Sequence, residues 1–392
     1  MAETAAQVMA RNSAIRANIL ANAIPVIQNV KSGSATYTAG SPTTVNVQAS
    51  NVGLIRRFFL EISATVDCGT NNYLPTMIGI PNILSNVQFT DQNNRLRINT
   101  TGAHLHYQAC ERRRRLFGNA QIAGTGGSDP SGFGANIAVQ LGTGTVTTAG
   151  AAFKWIFEIP VVNSNTDLTG AIYANQTTSN NQIQFTFNPN MFAANAADSF
   201  NAAWVADATG ATPTLTGITW TLYQDFLDQL PIDNTGFAVL PPIDIAYALC
   251  FQMINPGVQV QGVDNLYALP PYNVYQNLML FWDNFGYTGL ASSDVDYIKV
   301  QIANTYVLKQ FDPYMLAVHT RNIVGADFPS QGTLASGKTP GAVYNLDFRA
   351  KPLSVSQLSS TNIVFNPNTV AAATSKLQIG QEYLWYANQA AA

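Results

Sequence analysis

Charge is scarce in this 392-residue chain: Asp, Glu, Lys and Arg together make up 10% of it, against roughly a quarter in an ordinary soluble domain. The net charge is only −3, so no broad field gathers nucleic acid or acidic ligands. Cysteine is also sparse. Cys68, Cys110 and Cys250 are far apart and odd in number, which excludes a disulfide framework and a zinc pattern and fits folding in a reducing cytoplasm. Three histidines leave little for metal or acid–base chemistry. No apolar run approaches the roughly 18 residues that would cross a bilayer. The opening "MAETAAQVMARNSAIRANILANAI" has no unbroken apolar core behind positive charge, so it does not read as a signal peptide.

What remains is apolar and aromatic: 47% hydrophobic, with 16 Tyr, 20 Phe and 5 Trp. That excludes disorder, yet leaves a poorly charged surface for a free monomer. The expectation is a chain whose outside is largely covered by copies of itself; the plainer alternative is a charge-poor monomeric β protein.

Residues 3–22 read as a helix, with Val8, Ile15 and Ile19 on one stripe and Arg11 and Arg16 beside it. Beyond "IPVIQNV" the pattern is β. Segments such as "LIRRFFLEISATV", "NIAVQL" (136–141), "AFKWIFEIPVV" and "ITWTLYQ" alternate or run apolar between Gly, Asn, Pro and Ser clusters. Strands without long helices between them predict antiparallel sandwiches. Short helices are expected at 101–118, at 165–176 (with Asn165 or Thr166 as N-cap), at 312–325 and at 353–360. The proline-rich "LDQLPIDNTGFAVLPPID" (227–244) is the best boundary, after which a second β series begins. "FNPN" closes a strand in each series, at 187–190 and 365–368, 178 residues apart (365 − 187). In it Phe packs inward, Asn turns the chain, and Pro, lacking a donor, ends pairing. One sandwich used twice accounts for the repeat.

Chemical motifs are weak. "GTLASGKT" (332–339) matches the phosphate-cradling pattern at Gly332, Gly337, Lys338 and Thr339, but Pro340 and Gly341 follow it where a helix must begin. His104 and His106 point roughly 200° apart on a helix and do not share an ion. No nucleophile elbow exists, and Asp294 and Asp296 sit in turn sequence. No catalytic, cofactor or metal residue is assigned, and the chain reads as no enzyme. The run Arg112, Arg113, Arg114 and Arg115 is either a solvated helix end or a basic contact patch for lipid head groups, nucleic acid or an acidic neighbour.

"SNVGLIRRFFLEISATV", "NTTGAHLHYQAC", "NTDLTGAIYAN", "TLYQDFLDQLP" and "GFAVLPPID" stand in one order that resembles the major capsid proteins of tectiviruses, tailless icosahedral bacteriophages with an internal membrane. The likeness extends from about residue 24 to "GQEYLWY". It implies an all-β double jelly roll: two eight-stranded antiparallel jelly rolls in tandem, with a short helix after the fourth and sixth strands of each. The expected division is a helical arm (1–30), a first jelly roll (31–236), and a second (237–392) with a short tail. The resemblance further implies homotrimers with six lobes tiling a shell, penton and minor membrane proteins as partners, and the virion capsid as location, after assembly in a bacterial cytoplasm. It implies no cofactor and no sequence-specific nucleic acid. The N-terminal helix (Val8, Arg11, Ile15, Arg16, Ile19) is expected to touch a neighbour or the internal membrane. The Arg112–Arg115 run departs from the family pattern, which is much less basic there, so no role is carried over. The alternatives are a lectin-like or surface-layer binding sandwich, which lacks an export signal here, and, remotely, an ATPase using "GTLASGKT".

Overall fold

From Phe58 on, the sequence "LIRRFFLEISATVD" places an apolar side chain at every second position, and over Leu54–Asp67 it forms a strand that buries Phe58, Leu60, Ile62, Ala64 and Val66 on one face. The computed structural model describes residues 4–67, 73–76, 78–112, 120–123, 151–164, 166–174, 180–194, 201–206, 213–271, 273–283, 295–303, 305–324, 343–355, 360–368 and 376–386. Helix α1 (Ala5–Asn22) comes first, started by a capping box between Thr4 and Gln7. It is followed by β1 (Ile24–Ser34), β2 (Thr43–Gln48), β3 (Leu54–Asp67), β4 (Tyr73–Pro75), β5 (Leu84–Thr90), β6 (Leu96–Thr100) and α2 (Gly102–Arg112). The first half continues through β7 (Ala120–Ala123), β8 (Ala151–Pro160), β9 (Ile172–Tyr173), β10 (Gln182–Phe187), β11 (Phe192–Ala193), β12 (Trp204–Ala206) and β13 (Thr214–Asp228). The second half holds β14 (Tyr247–Val258), β15 (Asn265–Ala268), β16 (Val274–Asp283), β17 (Val295–Ile302), β18 (Tyr306–Phe311) and α3 (Pro313–Val324). It ends with β19 (Val343–Asp347), β20 (Leu353–Ser354), β21 (Thr361–Pro367) and β22 (Lys376–Tyr386).

The two halves repeat one topology. In the first, neighbouring strands run β1-β13-β3-β8 in one layer and β2-β10-β5-β6 in the other. In the second they run β14-β22-β16-β19 and β15-β21-β17-β18. Counting only these eight strands per half, the first pairs with the last and the second with the seventh, the doubled Greek key of a jelly roll. Aromatic side chains join the layers: Phe58 meets Phe89 at 5.4 Å and Phe185 meets Trp220 at 5.4 Å in the first half. Trp282 meets Phe365 at 4.6 Å in the second. Each half has its own core.

Both copies of "FNPN" end their strands alike. Phe187 and Phe365 are buried, and the carbonyls of Pro189 and Pro367 accept the N–H groups of Gly40 and Gly262 at 3.0 and 2.7 Å. Those glycines have φ of 74° and 70°, a left-handed conformation that a side chain would strain. A shared turn therefore locks the seventh strand to the loop before the second strand in both halves.

Several expectations need correction. The helices α2 and α3 follow the fifth strand of their halves, and residues 166–174 of the stretch 165–176 are not helical. The Asp167 carboxylate accepts the N–H and hydroxyl of Thr169 and the amide of Asn163, which makes a turn, and the chain then enters β9 beside β3. Of the stretch 353–360, Leu353–Ser354 is strand β20 beside β16, Val355 enters a 3-10 turn, and 356–359 lie outside the described residues. Residues 24–30, taken with the arm in the sequence, belong to β1 and pair with β13. The expected strand 136–141 lies outside the described residues.

The halves are joined by more than a linker. Strands β6 and β14 pair in parallel, Ile98 with Phe251 and Asn99 with Gln252. One nine-stranded sheet thus passes from the first half into the second.

Candidate functional site at the junction of the two halves

Helix α2 sits where the halves meet, and residues 102–111 of it are all buried. Its two histidines face different halves. His104 Nδ1 lies 2.7 Å from the Thr100 hydroxyl, and its ring packs against Phe251 at 5.9 Å and Phe281 at 6.2 Å, both from the second half. His106 packs against Trp155 of the first half at 5.0 Å. Burial pushes His104 down to about 4, helped by Arg112 and opposed by Glu382. Burial alone pushes His106 down to about 3. Both are neutral packing groups at pH 7. His319, the third, stacks on Phe311 at 4.9 Å.

Close contact here also explains a glycine. A Cβ on Gly380 would lie 2.5 Å from the His104 ring, which Phe251 and Phe281 hold in place. Gly380→Ala is therefore expected to cost about 1–3 kcal/mol by overpacking, outweighing the usual gain from a stiffer unfolded chain. Urea unfolding of the variant checks it; an unchanged midpoint would mean that the ring moves freely.

Next to α2 lies a buried charge network. Arg112 pairs with the fully buried Glu382, and Arg349 reaches both Glu111 and, at 3.0 Å, Glu382. Gln108 donates to Glu111 and Glu382 and accepts from Asn277 at 3.1 Å. Burial would raise the Glu382 carboxyl, but Arg112 and Arg349 overcome it and hold it at about 2. Burial raises Glu111 despite Arg349. A matching site exists in the first half: Asp225, also fully buried, holds Arg56 and Arg57 at 2.6 Å each, and Arg57 reaches Glu158 at 3.2 Å. Each acid sits on the last strand of its half, opposite a bulge in the third strand at Arg56 and at Gln276. The sequence carries a signal for this pair that was missed: Gln224-Asp225-Phe226-Leu227 and Gln381-Glu382-Tyr383-Leu384 are one motif written twice.

These charges border a cleft of about 620 Å³. Its four guanidiniums, Arg56, Arg57, Arg112 and Arg349, are all paired with carboxylates, so they lock elements together and offer no open anion site. Among the described residues, no group of three or more metal-capable side chains exists. Arg112 leaves the basic patch expected of it, because its guanidinium lies over the Phe251 ring at 5.2 Å and against Glu382. Arg113, Arg114 and Arg115 lie outside the described residues, as do Cys68 and "GTLASGKT".

Helix α1 turns its stripe toward its own chain. Ile19 is fully buried and Ile15 partly buried on a cluster with Leu54, Leu168 and Leu227. Asn12 donates to Asp244 at 2.8 Å, and Arg16 pairs with Asp167 at 3.1 Å and Asp244 at 3.5 Å. Ile15, Arg16 and Ile19 thus anchor the helix to the first half, and the fully buried Ile19 is covered by its own chain. Val8 is half-buried and Arg11 exposed.

Two tandem jelly rolls sharing a sheet, with ion pairs in place of a reactive centre, define a double jelly-roll protein. Solved structures share this fold. The STIV major capsid protein aligns over 94% of this chain and 99% of its own, with a TM-score of 0.61 at 10% identity. A chain of Sulfolobus Turreted Icosahedral Virus covers 92% and 91%, with a TM-score of 0.56 at 10% identity. The P3 major capsid protein N-terminal model matches residues 2–230 and the C-terminal model residues 260–390, and the chain belongs to this family. The major capsid protein P3 of Enterobacteria phage PRD1 is 28% identical over 386 residues, 96% of this chain and 91% of that one. The role of the chain is structural, as a major capsid protein of a PRD1-like phage in the virion shell.

Proposed function

We propose that the chain forms homotrimers that tile an icosahedral shell over an internal membrane. One observation carries this: each chain bears two jelly rolls of one topology side by side, so three chains present six similar lobes in a near-hexagonal outline. The low charge supports the same reading, since obligate contacts are more apolar than transient ones. Penton and minor membrane proteins complete the shell, and assembly takes place in the host bacterial cytoplasm. The outer side of α1, with Arg11 and the 64%-exposed Met9, touches a neighbouring trimer or the membrane surface. A single short helix binds lipid weakly, and repetition over a shell multiplies it.

The test compares the full chain with one lacking residues 2–22 by sedimentation and by electron microscopy of assembled particles. The expected result is a stable trimer for both, with shell formation lost only in the shortened chain. A full chain that stays monomeric would overturn the trimer. A shortened chain that loses its trimer would move α1 into the trimer interface.

A further inference from the structure

Internal repetition lets each surface of one half be compared with its counterpart in the other, and one pair of counterparts differs sharply. In the first half, β6 is not an edge, because β14 pairs with it, and α2 is covered by the second half. In the second half, β18 pairs only with β17 among the described strands, and α3 packs on its own half and on α2 but leaves one face exposed.

Both fifth strands carry a bulge, opposite Phe89/Thr90 and opposite Val300/Gln301, and both helices start shortly after. Leu105 of α2 and Leu316 of α3 then coincide, each buried in its own half's core. In the same alignment, Ala103, His104 and Tyr107, which face the second half, correspond to Tyr314, Met315 and Val318. The first three are buried under Phe281 and its neighbours. The latter three are 46%, 54% and 51% exposed. An apolar face covered in one half is therefore solvent-exposed in the other, most fully at Met315 and Val318.

The surface that would cover it also exists. Within the chain, α2 and β6 meet the outer face and open edge of β14-β22-β16, at Phe251, Met279 and Gly380. Phe251 lies opposite Glu382, and its counterpart Ile27 lies opposite Asp225. Ile27 is 62% exposed, on a strand that among the described strands pairs only with β13. The counterparts of Met279 and Gly380 are Phe59 and Tyr223, a facing pair on β3 and β13 whose side chains are half-buried. An apolar patch with an open strand edge thus lies on the first half, and a bare apolar helix with an open strand edge lies on the second.

We infer that β18 and α3 of one molecule dock on β1 and the outer face of the β1-β13-β3 sheet of a second copy, repeating between molecules the β6/α2 contact made inside each. The inference rests on the trimer reading and specifies its seam. The intramolecular pairs Ile98–Phe251 and Asn99–Gln252 translate into Lys309 opposite Ile27 and Gln310 opposite Gln28, in parallel. Such a contact is heterologous, so it must close into a ring or continue as an open chain. It also removes two bare strand edges that would otherwise invite uncontrolled pairing.

The experiment uses the full-length chain carrying Gln28→Cys and Gln310→Cys, two exposed positions. Neighbouring strands bring Cα atoms within disulfide reach, and Cys110 and Cys250 are buried. Sedimentation of the native chain is measured alongside. Under mild oxidation, the double variant should give covalent dimers and trimers on a denaturing gel, ending at three copies, while each single variant gives neither. Met315→Asp with Val318→Asp, both at exposed positions, should weaken association by about thirtyfold or more, as loss of a central contact does, with the monomer's unfolding midpoint unchanged. A native trimer that neither cross-links nor responds to these substitutions would overturn the seam and leave the trimer standing. A native monomer would overturn the trimer reading and the seam with it. A ladder continuing past three copies would overturn the closed ring.

Discussion

Replacing Glu382 with Gln is expected to destabilise the chain by about 3–5 kcal/mol, the cost of breaking a buried ion pair from one side. Glu382 is fully buried and serves Arg112 and Arg349 together. Without its charge, two guanidiniums are left with Glu111, whose own carboxyl burial has already raised. Glutamine keeps the shape, so the loss reports charge and not volume. Chemical denaturation measures it directly. The double variant Arg112→Gln/Glu382→Gln should recover part of the loss, because the partner left without a counter-charge is also removed, and the cycle gives the coupling. A single variant within about 1 kcal/mol of the native chain would mean that the network does not hold the junction.

Acid should weaken the fold well before carboxylates titrate. His104 and His106 are held neutral by burial, at about 4 and about 3, against 6.5 for an ordinary histidine. Below pH 6.5 the unfolded chain therefore takes up protons that the folded chain refuses, and stability falls with pH. The expected loss is about 2 kcal/mol per histidine between pH 7 and 5, and about 3 per histidine by pH 4. Glu382 adds to the loss below pH 4.5, as its carboxyl protonates in the unfolded chain and stays charged in the folded one until about 2. Glu111 and Asp244, whose carboxyls burial raises, work in the opposite direction and offset part of it. Urea midpoints of the dissociated chain at pH 7, 6, 5 and 4 test this. A flat profile from 7 to 5 would show that the two rings are hydrated in solution.

Sequence reading succeeded where the determining interactions are local. The alternation in "LIRRFFLEISATV" and the terminator "FNPN" each follow from a few consecutive side chains, and α1, α2 and α3 stand close to where their apolar spacing puts them. The stretch 165–176 misled because Asn, Thr and Asp start helices and close turns by the same hydrogen bonds. Only the burial of Ala171 and Ile172 against β3 and its surroundings decides between the two. Arg112 misled for the opposite reason. Its neighbours in sequence are arginines, but its partner, Glu382, lies 270 residues away. For Ile19 likewise, a helical stripe shows that one face is apolar without showing what covers it, and here its own chain does. The junction was legible in part: Q-D-F-L and Q-E-Y-L mark both buried acids, while the arginines that reach them come from β3, α2 and the turn after β19.

The parallel joint between β6 and β14 has a mechanical consequence. A flexible linker would let the two lobes swing, whereas continuous backbone hydrogen bonding across the boundary, reinforced by Glu111, Arg349 and Glu382, leaves no soft hinge there. Each molecule is then a stiff plank, and any curvature of a closed particle has to be absorbed at the borders between planks.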